Sequence, residues 1–222
     1  MRVKTRRSVA ELLLSVAGIF LLLYGVVLFN RNVLMTLPLA VRMVLMPLLQ
    51  WIPALLPLLV IALRKIKARD LGFSREKIGA QLFAGLGVGA AMTLILVVFP
   101  LLMGWKDLVG STQYTKPWQF AFQFFYCLLG VAFAEELIFR GYLFERLVKL
   151  KGSKTIAIIG SSVVFGLFHI FSGDLVRVFV TALLGAIWCV CREKIKYCTT
   201  LSLILAHGLY DASIPLCVFL LG

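Results

Sequence analysis

The sequence predicts an all-α fold: one polytopic bundle of about seven transmembrane spans, or eight helices in all. Three observations carry that prediction. Hydrophobic residues make up 61% of the 222 residues, against about 45–50% in soluble domains. They gather into runs long enough to cross the roughly 30 Å hydrocarbon core of a bilayer. The net charge of +13 sits in short clusters between those runs. That placement is the positive-inside pattern of membrane proteins rather than a surface for nucleic acid.

In chain order, the predicted spans are 9–29, 37–63, 80–103, 118–140, 155–171, 175–191 and 199–221. The first follows "MRVKTRRSVA" with no small-residue cleavage site after it, so it reads as a retained helix rather than a signal peptide. The second carries Arg42, Pro47, Pro53 and Pro57, which predicts a kink or a partly interfacial course. The third contains Gly85 and Gly89, a small-residue face on which another helix can lie close. Between the short fifth and sixth spans, "FSGDL" reads as a turn with Asp174 as N-cap. The cysteines form no C-x-x-C. Cys189 and Cys191, two apart on a helix, diverge and make a poor metal pair. The chain reads as a single integral-membrane domain, 1–222, with its chemistry in 118–215.

Basic residues set the expected orientation. The N-terminus, the stretch 64–77, the stretch 140–154 and the stretch 192–196 together hold 18 of the 23 lysines and arginines. All four fall on one side when seven spans alternate. The expectation is a cytoplasmic N-terminus and a C-terminus outside, in the cell membrane.

Against this apolar background the ionisable residues inside spans are few. Both histidines, His169 and His207, lie there, with Glu135, Glu136 and Asp211. A charged side chain at the bilayer centre costs roughly 2.5–3.5 kcal/mol or more, so each calls for a function or a partner. Counting 1.5 Å per residue from the flanking lysines, Glu135, His169 and Asp211 reach roughly 21–22 Å and His207 about 16 Å. Three helices thus bring ionisable groups to similar depth, which is how helix bundles build sites. His207 and Asp211 share a helix face at i, i+4, and so do Phe165 and His169. Glu136 and Arg140 have the same spacing and read as a structural ion pair. Phe165 reads as a packing wall beside His169.

A buried carboxylate beside an imidazole can hold a water and take its proton. A second histidine with an acidic neighbour can stabilise an oxyanion or complete a metal site. Glu135, His169, His207 and Asp211 are all acceptable ligands to zinc or another divalent metal, although no H-E-x-x-H is present. The reaction class favoured is hydrolysis of an acyl bond, most plausibly a peptide bond.

The stretches "EELIFR" (Glu135, Glu136, Arg140), "FGLFH" (Phe165, His169) and "HGLYD" (His207, Asp211) resemble the three motifs of the CPBP intramembrane proteases. That family includes type II CAAX prenyl proteases and bacteriocin-processing or immunity (Abi) proteins. "RDLGF" before the third span is similar too. The resemblance implies an eight-helix or similar bundle with a cavity open toward the cytoplasm. It also implies Glu135 as base, assisted by His169, with His207 and Asp211 at the oxyanion or on a metal. Members are described both as metalloproteases and as metal-independent glutamate proteases, so a metal cofactor stays open. Asp211 stands where prenyl proteases usually carry Asn. The expected partners are membrane lipids and a membrane-associated protein or peptide substrate, with no nucleic acid. The rival readings are a proton-coupled transporter or channel, and a non-catalytic immunity protein that keeps the motifs.

Overall fold

In lipid every backbone N–H and C=O must find its partner within the protein, so apolar runs become helices. The computed structural model describes residues 2–222, apart from the side chains of residues 2–7 and 172. The basic side chains of Arg2, Lys4, Arg6 and Arg7, which entered the orientation argument, therefore lie outside the described residues. The described chain is helical, without a strand. Its helices are α1 (Arg2–Asn32), α2 (Leu39–Leu49), α3 (Leu55–Leu63), α4 (Ile78–Leu102), α5 (Pro117–Lys151), α6 (Lys154–Phe168), α7 (Leu175–Lys194) and α8 (Thr200–Leu221).

Among the described residues six segments are long and apolar enough to cross a membrane; the second of these is α2 and α3 together. The predicted fifth span is shorter than expected. It becomes α6, with 15 residues, because the chain tightens at His169 into the turn Ile170–Ser172. The second span is broken, as its prolines predicted: Pro47 lies inside α2, and a tight turn at Ile52–Ala54 separates it from α3. Large apolar side chains such as Leu21, Leu63, Phe83 and Phe179 face outward, as a lipid-facing surface requires.

α4 lies along α8, and α6 along α7. The first contact uses the predicted small-residue face. A Cβ on Gly85 would sit 2.6 Å from the carbonyl oxygen of Ser202, and one on Gly89 would sit 3.0 Å from that of Ala206. Only glycine lets α8 come this near. The predicted N-cap at α7 is formed, with Asp174 Oδ1 accepting from the Val176 N–H at 2.9 Å.

"RDLGF" anchors the start of α8. Gly72 adopts φ +76°, a left-handed conformation that side chains disfavour. The turn it makes presents two carbonyls to Thr200: Leu71 O accepts from Thr200 Oγ1 at 2.8 Å, and Gly72 O accepts from Thr200 N at 3.1 Å. Buried Gln81 of α4 fixes the same end, accepting from Thr199 Oγ1 at 2.6 Å. These contacts set the register of α8 two turns before His207.

One buried cluster joins Phe139, Tyr142, Phe165 and Phe168 to residues of α1. A second joins Met92, Trp188, Leu203 and Ala206. The polar residues of the three motifs sit at the seam between the two.

Candidate active site

α5 runs unbroken from Pro117 to Lys151, through Gly141, but not with uniform winding. Two π-helical stretches, Tyr126–Ala132 and Leu137–Leu143, flank the four residues Phe133–Glu136. Such widened turns often mark functional positions, because they re-aim side chains within a continuous helix. The first stretch fits closely against α8: a Cβ on Gly208 would lie 2.8 Å from the Cα of Leu128. The second exposes backbone to side-chain donors, and Arg192 Nη1 donates to the carbonyl of Arg140 at 2.6 Å.

Adjacent on α5, Glu135 and Glu136 diverge. Glu136 is fully buried, and one of its oxygens, Oε1, accepts from Arg140 Nη1 at 2.9 Å. The same oxygen lies 2.8 Å from His207 Nδ1. A carboxylate paired with a guanidinium can only accept, so Nδ1 carries the proton. The other ring nitrogen, Nε2, lies 3.2 Å from Asp211 Oδ2 and 3.9 Å from Glu135 Oε2. Trp188 stacks on the imidazole at 5.7 Å, and Phe165 meets it edge-on at 6.2 Å. The His207 ring is thus held by two aromatic side chains and at both nitrogens.

His169 caps the C-terminus of α6, and its Nδ1 lies 3.0 Å from the carbonyl oxygen of Phe165. A carbonyl only accepts, so Nδ1–H donates and Nε2 is left as the acceptor of this ring. Phe165 packs edge-on to His169 at 5.2 Å and beneath the Arg140 guanidinium at 4.3 Å. It therefore ties the ion pair to the histidine, beyond the wall expected of it.

Glu135, His169, His207, Asp211 and Phe165 all line one cavity of about 80 Å³, together with Trp188 and Tyr210. That is space for at least one ordered water. All the motif residues come together: five line the cavity, and Glu136 and Arg140 lie behind it. Although all four candidate ligands border the cavity, no three His, Cys, Asp or Glu side chains among the described residues are grouped so as to hold a metal ion. As arranged, the donors do not fit a metal centre.

A larger cleft of about 460 Å³ shares Val131 and Asp211 with this cavity. A groove of about 570 Å³ shares Ser111, Thr112 and Tyr114 with the cleft.

Residues 117–213, which hold all three motifs and span α5 to most of α8, match the family model of type II CAAX prenyl endopeptidases, Rce1-like. The match, over 97 of the 222 residues, supports membership of the CPBP/CAAX protease family. It supports a CAAX-type intramembrane protease in general. No curated protein and no solved structure matches the chain. The matched region begins one residue before the predicted core of 118–215, so α1–α4 lie outside it.

Trp188 was not legible as a site residue, since a tryptophan in an apolar span reads as packing. The bond from Glu136 to His207 also escaped the sequence, because it joins residues 71 apart.

Proposed function

We propose that the protein is an intramembrane endopeptidase that uses a water activated by Glu135 to cleave a membrane-associated protein or peptide. One observation carries the reading: Glu135, His169, His207 and Asp211, drawn from three helices, meet at one small cavity. The Glu135 carboxylate takes a proton as the water oxygen attacks the scissile carbonyl carbon. His169 Nε2 accepts the other hydrogen of that water and orients it. Negative charge then develops on the carbonyl oxygen. A proton on His207 Nε2, shared with Asp211, donates to that oxygen. As the tetrahedral intermediate collapses, Glu135 returns its proton to the departing amine nitrogen. Glu136 does not touch the substrate. It positions His207 by accepting from Nδ1, and Arg140 donates to the same oxygen of Glu136. The basic clusters favour an orientation with Lys151 on the cytoplasmic side and Lys116 outside.

The test is purified protein in detergent or proteoliposomes with a library of quenched fluorescent peptides. Glu135→Gln and His169→Ala should each lower cleavage about 10²–10⁴-fold, with unchanged thermal stability. Cleavage at the wild-type rate by Glu135→Gln would sink the reading. Asp211→Asn should keep activity, because an amide can accept from His207 and donate to the oxyanion. Loss of activity together with loss of bound metal in that variant would overturn the hydrogen-bonding role.

A further inference from the structure

We infer that the groove between α4 and the end of α7 binds an acidic phospholipid, with an acyl chain along the groove and the phosphate at Lys77 and Lys196. An apolar groove is ordinary on a lipid-facing surface; the charge at its end sets this one apart. The groove holds about 490 Å³, and its lining is apolar except at one end, where Lys196 and Tyr197 stand. Along α4 the lining runs from Ala80 to Ile95, about 22 Å at 1.5 Å per residue. One hydrocarbon leaflet is about 15 Å thick, so an acyl chain fits lengthwise. The space exists because α4 presents small residues to it. A Cβ on Gly87 would meet nothing within 4 Å, and Ala84 and Ala91 line the groove a turn to either side.

Two ammonium groups converge on Tyr197. Lys77 Nζ donates to the phenol oxygen at 2.9 Å and lies 5.0 Å from the ring centroid. Lys196 Nζ lies 5.1 Å from the same centroid. Lys77 and Tyr197 both hold left-handed backbone, with φ +49° and +63°, which is uncommon outside glycine. Among the described residues no carboxylate pairs with either lysine, Glu76 beside Lys77 included. Glu193, three residues before Lys196, is taken by Lys154 at 2.5 Å. An ammonium has three donors, and Lys77 uses one of them on Tyr197. Like charges gathered without an acid between them suit a phosphate, which accepts from both and offsets their repulsion. Acidic headgroups attract lysines at a membrane surface in this way. The occupant is a lipid and not the substrate, because the groove shares no lining residue with the catalytic cavity. Val88, Met92 and Cys191 of its lining pack in one cluster with Trp188, which stacks on His207. A chain in the groove therefore rests on the packing behind His207 and does not meet Glu135.

The experiment reads binding, which needs no turnover. The purified full-length chain is placed in phosphatidylcholine nanodiscs with a trace of phosphatidylglycerol that carries a diazirine in one acyl chain. A parallel sample holds the matching phosphatidylcholine probe. After irradiation, mass spectrometry of the digested protein locates the attached lipid. The phosphatidylglycerol probe should attach within residues 80–95 or 191–197, and unlabelled phosphatidylglycerol should displace it. Lys77→Gln together with Lys196→Gln should lower that attachment roughly ten- to thirty-fold, whereas Lys77→Arg with Lys196→Arg should keep it. Gly87→Leu, whose new side chain enters open space, should also lower it, with an unchanged melting temperature. Equal attachment by the phosphatidylcholine probe would make the groove an ordinary lipid contact and overturn the inference. So would attachment that neither blocking variant lowers, or displacement by farnesol and not by phosphatidylglycerol. Cleavage is not part of the readout, so failure here leaves the protease reading standing.

Discussion

Two glutamates in this protein each hold two basic partners, and they do so in opposite ways. Glu11, on α1, uses both oxygens. Oε2 pairs with Arg64 at 2.6 Å, and Oε1 pairs with Arg146, so that α1, the end of α3 and α5 are tied together. Glu136 uses one oxygen for both Arg140 and His207. The Arg64 side chain is 60% exposed, whereas those of Arg140 and Glu136 are 1% and 0% exposed. The outer cluster has solvent to replace a lost partner. The inner one has none, so it is a fixed assembly in which Arg140, Glu136 and His207 stand or fall together. The outer cluster serves as a fastening and the inner one as an alignment device.

Removing single partners can break that contrast. Arg140→Ala should be the most damaging, costing about 3–5 kcal/mol because Glu136 is left charged and buried. Thermal unfolding in detergent, with expression level as a second readout, measures it; a loss as small as that of an exposed pair would show that the inner cluster is plastic. Arg146→Ala should cost about 1–2 kcal/mol, since its side chain is 19% exposed and Glu11 keeps Arg64. Arg64→Ala should cost about 0–1 kcal/mol, and high salt should erase even that difference. If Arg64→Ala matched Arg140→Ala, burial would not be what separates the two clusters.

The sequence made the inner cluster partly visible. Glu135, His169, His207 and Asp211 stood out because an ionisable side chain in an apolar run is costly, and helical spacing paired Glu136 with Arg140 and His207 with Asp211. Spacing speaks only within one helix. The bond from Glu136 to His207 and the stacking of Trp188 on that ring depend on how α5, α7 and α8 slide against one another. That register comes from distant contacts, such as Thr200 on the turn at Gly72. The spans were legible from hydropathy, apart from the length of α6. The winding of α5 was not, since no residue type marks a π-helical turn as a proline marks a kink.

The two widened stretches of α5 make its chemistry a matter of counting as much as of side-chain identity. A helix turns about 100° and rises about 1.5 Å per residue. Deleting Phe133 or Ala134, in the regular turn between them, would swing Glu135 by about that angle relative to Pro117–Phe125, whereas a widened stretch can absorb a deletion by tightening to an ordinary α-helical turn. Substitutions on the lipid-facing side of α5 leave this phase untouched. In the regular turns of these 35 residues, an insertion or deletion therefore acts like a frameshift in three dimensions: every letter beyond it is kept, and each one points the wrong way.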